Sequence, residues 1–299
     1  MREVSVENAE LVSRSIVRES YKLDEETMVT LSIGPEAMDE IERERNNAKA
    51  CLALGAPALF SFETVKCGDK YGVIYEHLHA QTLGRQIMSD PDHFDHYMEL
   101  YADTLRELHS IHVAPGRLPS IADRYRESLR KMGGLLTEEE LEKCIRLVEA
   151  VPDSDTFLAM SFNPGCALYK DDVLYMNAFN YTSCGNPLFE MADLCESISF
   201  VASGATKDSF VRFLTNTDRA TAARIWDSLL HRYYHFDTEA DYTRMNQFIQ
   251  SFAMLKMTMT AVDVPNLHED MKAGALAACR ARFLPFAEQL TEAVQHMTF

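Results

Sequence analysis

Three pairs of histidines, His77-x-His79, His93-x-x-His96 and His109-x-x-His112, have spacings at which two imidazoles can reach one metal ion. None is joined by a third ligand at a usable sequence distance, so all three read as structural histidines. The seven cysteines, Cys51, Cys67, Cys144, Cys166, Cys184, Cys195 and Cys279, include no C-x-x-C pair and are odd in number. That argues against a disulfide framework or a zinc site and for reduced thiols in a cytoplasm. Cys166 and Cys184 are the thiols to weigh as nucleophiles, yet the sequence places no His–Asp pair to activate either. Asp171 and Asp172 are adjacent carboxylates inside a turn signal, where solvent is the expected neighbour. Met245, Met254, Met257 and Met259 share a long helical pattern and read as core filling.

The elements that must position such groups come in two styles. Residues 10–23 (ELVSRSIVRESYKL), the acidic turn 24–26 and residues 27–33 (TMVTLSI) carry a hairpin signature. A polar helix follows over 36–54, ended by Gly55 and Pro57, and then strands at 59–65 and 71–77 around a Cys67-Gly68-Asp69-Lys70 turn. Beyond residue 78 the pattern is mostly helical. Phe94, Tyr97, Met98, Tyr101, Leu105 and Leu108 share one helix face, and Thr137 with Glu140 forms a capping box before Leu141. Residues 157–179 break the helical pattern with two short apolar runs around Lys170-Asp171-Asp172, and long amphipathic helices run from about residue 218 onward.

A chain of 299 residues has room for two lobes with real cores. Its 29 Lys+Arg stand against 46 Asp+Glu, a formal charge of −17. Such a surface repels nucleic-acid phosphates and anionic membranes and draws in cations. The N-terminus MREVSVENAE has no apolar core for a signal peptide, and no window approaches a membrane helix. The expectation is a cytoplasmic protein with neither nucleic acid nor membrane among its partners.

Five strings, in order, carry a family resemblance: IERERNNAKACLALGAPA (41–58), YGVIYEHLHAQTLG (71–84), LRELHSIHV (105–113), SFNPGCALYKDDVLYMNAF (161–179) and GNPLFEMADL (185–194). Over roughly residues 10–200 the chain resembles the bacterial branch of the aminoglycoside phosphotransferase and choline-kinase-like family. The resemblance implies an α+β, two-lobed protein-kinase-like fold. Residues 1–78 would form a small lobe of antiparallel sheet plus one helix, and 79–299 a helical lobe with the catalytic-loop hairpin at about 157–179. It also implies ATP and magnesium as the family's cofactors.

Phosphoryl transfer needs held phosphates, metal ions and a carboxylate to orient the attacking hydroxyl. In the family the phosphates are covered by a glycine-rich hairpin; the matching stretch is Ser13-Arg14-Ser15-Ile16-Val17-Arg18, with serine for both glycines. The family's phosphate-pairing lysine falls on Thr30, while its helix glutamate is kept as Glu44, to be paired by Arg14 or Arg18 if by anything. Family His-Gly-Asp-Phe-His-Pro-Gly-Asn falls on residues 159–166, so the aspartate becomes Ser161 and the metal-binding asparagine becomes Cys166, a soft ligand for a hard cation. The second metal carboxylate falls on Ala178, or on Asn177 with a one-residue slip. A general base alone contributes about 10²–10⁴-fold, and these groups act as a unit.

The reading is a pseudoenzyme that keeps scaffold and cleft as a binding or regulatory module, with neither ATP nor magnesium expected as cofactor. Glu44, Glu76, Asn163 and Asn177 are its cleft candidates, and a small cationic ligand or an active relative its expected partner. The alternative is an active ATP-dependent phosphotransferase with displaced catalytic groups.

Overall fold

The computed structural model describes residues 1–15, 18–33, 38–203, 206–263 and 269–297. Strands β1 (Arg2–Glu3), β2 (Leu11–Arg14), β3 (Arg18–Lys22) and β4 (Thr27–Ser32) lead into helix α1 (Met38–Ala53), followed by β5 (Ser61–Cys67) and β6 (Lys70–Glu76). They form one six-stranded sheet in the order β1-β5-β6-β4-β3-β2, antiparallel except for the β1–β5 pair. The stretch 10–23 is therefore two strands rather than one. Its turn closes where Ser15 N–H donates to Arg18 O (2.8 Å) and Arg18 N–H donates to the Ser15 hydroxyl (3.0 Å). Ile16 and Val17, the β-branched pair at this turn, lie outside the described residues.

The chain then crosses through β7 (Gln81–Thr82) into α2 (Leu83–Ser89), α3 (Phe94–His109), α4 (Ile121–Lys131) and α5 (Glu138–Ala150). Thr82 and Ser120 cap α2 and α4 with their hydroxyls, and the Thr137–Glu140 capping box starts α5 in both directions. Next come β8 (Phe157–Leu158), the hairpin β9 (Leu168–Lys170) and β10 (Val173–Tyr175), β11 (Ser183–Cys184) and α6 (Leu188–Leu194). The chain ends in α7 (Asp208–Thr215), α8 (Arg219–Tyr234), α9 (Glu239–Asp263), α10 (Glu269–Arg282) and α11 (Ala287–Val294). The hairpin expected at about 157–179 is present at Leu168–Tyr175, with Val173 opposite Lys170 and Asp171-Asp172 both left-handed at its tip (φ 50° and 57°). Among the described residues no helix is long and apolar enough to cross a membrane.

One close junction fixes the loop after β8. A Cβ on Gly165 would lie 2.0 Å from Leu214 O, and one on Gly84 1.9 Å from Thr215 O. Gly84 N–H also donates to Pro164 O at 2.8 Å. Glycine is needed here because backbones touch, not because of a left-handed turn. Gly165→Ala should therefore lower unfolding stability by about 3 kcal/mol, since a carbonyl must move rather than a flexible tip. Gly274→Ala, in α10 with nothing within 4 Å of its Cβ, should raise it by about 0.5–1 kcal/mol. Urea unfolding of the two variants checks the contrast.

Candidate functional site

In the small lobe, Thr30 stands in the middle of β4 and its hydroxyl meets that of Ser20 on β3 at 2.9 Å. Neither side chain carries a charge. Glu44 on α1 is nonetheless paired: Arg18 Nη2 and Nε donate to its Oε2 at 2.6 and 3.1 Å, and the Tyr75 hydroxyl donates to Oε1 at 3.2 Å. Arg18 and Glu44 side chains are only 12% and 5% exposed, so this is an interior ion pair. The guanidinium reaches from the strand next to β4 to the helix glutamate. One turn further along α1, Asn47 donates to Phe179 O (2.9 Å) and ties the helix to the large lobe.

The loop of residues 159–166 is held from below by carboxylates. Ala159 and Met160 N–H donate to Glu190 Oε2 and Oε1 at 2.9 and 2.8 Å, and Ser161 N–H donates to Asp193 Oδ2 at 2.9 Å. Glu190 is fully buried and also meets His109 Nε2 at 3.0 Å, while His109 Nδ1 lies 2.6 Å from the Tyr233 hydroxyl. Because Glu190 Oε2 already accepts from Ala159 N–H, Nε2 is the ring nitrogen that donates to it. Tyr101 donates to Phe162 O at 2.7 Å. These bonds hold Met160 and Ser161 at φ 51° and 58°, a left-handed pair of non-glycine residues that costs on the order of 1 kcal/mol each.

The other sequence candidates fall as follows. Asn163 is buried and shapes the loop, its Oδ1 accepting from Gly165 N–H at 2.9 Å. Burial pushes the Cys166 thiol up to about 11, so it is neither thiolate nor hard ligand at neutral pH. Cys184 is raised as well by burial, and its S–H faces Leu118 and Pro119 carbonyls at 3.7 Å. Ala178 and Asn177 are half-buried beside Phe179, whose ring stacks on Tyr75 with centroids 5.6 Å apart. Glu76 ends β6 and accepts from Phe60 N–H at 2.7 Å. Asp172 bonds His96 (2.8 Å) and Tyr169 (2.7 Å) on the surface; His93 pairs with Asp90 and His112 with Asp155, both at the surface. The His77 and His79 rings lie with centroids 4.1 Å apart, tilted by 46°.

The donor set Ser161, Cys166 and Ala178 does not fit a magnesium ion, which wants hard oxygen ligands. Among the described residues no three His, Cys, Asp or Glu side chains gather closely enough to hold a metal.

What sequence reasoning missed is a charged cluster under the loop. Lys256 on α9 lies 3.3 Å from both Asp193 and Glu196, and the three side chains are 19%, 14% and 18% exposed. Thr260 accepts from Lys256 Nζ (2.9 Å) and donates to Glu196 (3.1 Å). Glu196 stands in a π-helical turn, Cys195–Phe200, that continues α6, a distortion often found at functional sites. Burial raises the Glu196 carboxyl above its usual range. Burial would lower the Lys256 ammonium, but Glu196 and Asp193 outweigh it and hold it well above the ordinary lysine range. Lys256 is therefore a fixed cation and not a nucleophile. The Tyr125 hydroxyl, buried at the same place, has no hydrogen-bond partner among the described residues. The available signal was a lone lysine in the apolar run FAMLKMTM (252–259), which only an ion pair can bury.

No family model matches the sequence, and no curated protein matches it. Solved structures do. The gentamicin complex of APH(2'')-IIa superposes with a TM-score of 0.60 at 12% identity over 93% of this chain and 92% of that one. The ADP-bound aminoglycoside phosphotransferase APH(2'')-Ib gives 0.57 at 12% over 94% and 95%. Macrolide 2'-phosphotransferase type I gives 0.52 at 12% over 90% and 89%. The chain thus has the two-lobed, α+β protein-kinase-like fold of the aminoglycoside and macrolide phosphotransferases, matched over nearly its whole length.

Proposed function

We propose that this chain is a ligand-binding pseudoenzyme: it keeps the interlobe cleft of a small-molecule phosphotransferase and has given up the transfer. The observation that carries the reading is where the loop's carboxylates point. Glu190 and Asp193 both accept from backbone N–H groups of residues 159–161, and the side chain at the general-base position is the hydroxyl of Ser161. A carboxylate engaged in holding the loop and paired with Lys256 is a poor base for a substrate hydroxyl. Arg18, the cation that pairs with the helix glutamate, is already engaged by Glu44. The occupant we favour is a small molecule with a cationic group, since Asp193 and Glu196 outnumber Lys256 by one charge.

Thermal unfolding with magnesium-ATP at about 1 mM tests this. A micromolar site would be nearly a thousandfold saturated and would stabilise the native state by about 4 kcal/mol. No shift is expected, and a clear magnesium-dependent rise would overturn the proposal. That rise would favour the second reading, a transferase with a displaced base, for which the nearest group is Asp193 beside Ser161.

A further inference from the structure

Arg43 on α1 and Arg124 on α4 belong to the two helices tied to the peptide units just after Ala178. Asn47 on α1 donates to Phe179 O (2.9 Å), and Arg124 Nη1 on α4 donates to the next carbonyl, Asn180 O (3.0 Å). Arg43 lies one helical turn before Asn47, on the same face of α1. Arg124 thus holds one of these two peptide units from the large lobe, and the charge of Arg43, carried on the small-lobe helix, bears on it. Arg43 is exposed and has no hydrogen-bond or ion-pair partner among the described residues. Arg124 is half-buried over the Tyr181 ring, 5.9 Å from its centroid, and that ring is 49% exposed. Burial and the charge of Arg43 both depress the Arg124 pKa, so these two cations repel each other in the resting protein. The carboxylate that bears on Arg124, Glu127, extends outward, where it lies 3.8 Å from Lys131. In a chain with 46 Asp+Glu and 29 Lys+Arg, two neighbouring cations with no salt-bridge partner among the described residues are an unmet charge.

We infer that Arg43 and Arg124, with Tyr181 as a platform, form an anion site that takes a phosphate or carboxylate group of the cleft's ligand without a divalent cation. This rests on the pseudoenzyme reading and adds to it an anionic group on the ligand. Where an active transferase of this fold places a metal between protein carboxylate and phosphate, here Ala178 leaves no carboxylate and the guanidiniums supply the positive charge directly. Planar guanidinium donors suit phosphate and carboxylate oxygens, and two of them acting together define a position.

The probe is inorganic pyrophosphate in excess EDTA, titrated calorimetrically into the full chain at constant ionic strength, with sodium chloride as the control. Wild type should bind, and Arg43→Gln and Arg124→Gln should each weaken binding by about tenfold, the loss of one charge-assisted contact. Arg43→Gln changes an exposed side chain and leaves folding intact, so it decides the matter if Arg124→Gln unfolds. No binding by wild type, or equal binding by wild type and Arg43→Gln, overturns the site. A heat reproduced by sodium chloride alone also overturns it. Magnesium-ATP binding is read separately: a tight magnesium-dependent complex removes the pseudoenzyme reading, whereas the Arg43 comparison removes the anion site.

Discussion

Replacing Glu190 with leucine should unfold the large lobe at much lower denaturant, with a loss of about 3–5 kcal/mol. Leucine matches the volume but strands the N–H groups of Ala159 and Met160 and the ring N–H of His109. Each buried donor left without an acceptor costs about 1–3 kcal/mol. Met160 and Ser161 would also lose the contacts that keep them left-handed. Glu190→Gln should cost less, about 1–3 kcal/mol, because one oxygen still accepts while the amide must face an N–H group. Urea unfolding gives the ordering. Equal stability of leucine and glutamate at this position would show that the loop is held by packing instead.

Lys256→Met should be comparably severe, at about 2–4 kcal/mol, since it leaves Asp193 and Glu196 together without their cation. Glu196→Gln should cost little at neutral pH, because Asp193 and Lys256 then balance. The pH dependence separates the two variants. Burial raises the Glu196 carboxyl in the folded state, so the native protein binds the extra proton above the ordinary glutamate range. Its ionisation therefore removes stability as pH rises from about 4.5 through the folded value. Glu196→Gln should gain on wild type over that rise. Lys256→Met should lose most near pH 7 and recover part of its deficit at pH 5, where Glu196 takes up a proton more readily. Thermal melts at pH 5 and 7 check both directions.

Much of this architecture was legible because it rests on local rules. The Thr137–Glu140 box, the apolar face of α3 and the 168–175 hairpin were all readable from spacing and turn chemistry. The split of residues 10–23 was not, because its turn lacks any glycine, asparagine or proline and closes through the Ser15 hydroxyl. Glu44 was recognisable as a helix glutamate, and its candidate partners as two arginines. Only the path of β3 beside β4 decides for Arg18. The Asp193–Glu196–Lys256 cluster joins α6 and the π-helical turn to α9 across some sixty residues. Neither a helical period nor a motif spans that distance, and the methionines around Lys256 concealed it.

Arg18 has a kinetic consequence. It follows directly on the β2–β3 turn, which under the proposed reading would form the roof of the ligand cleft. Glu44 belongs to α1, which packs against β5 and β6 and would frame that cleft from behind. An interior ion pair between them fastens the roof to the frame before anything binds. A roof so fastened has little closing left to do, and a ligand meets a cleft whose shape is already set. Association should then follow a single bimolecular phase, with affinity differences among ligands appearing in how fast they leave.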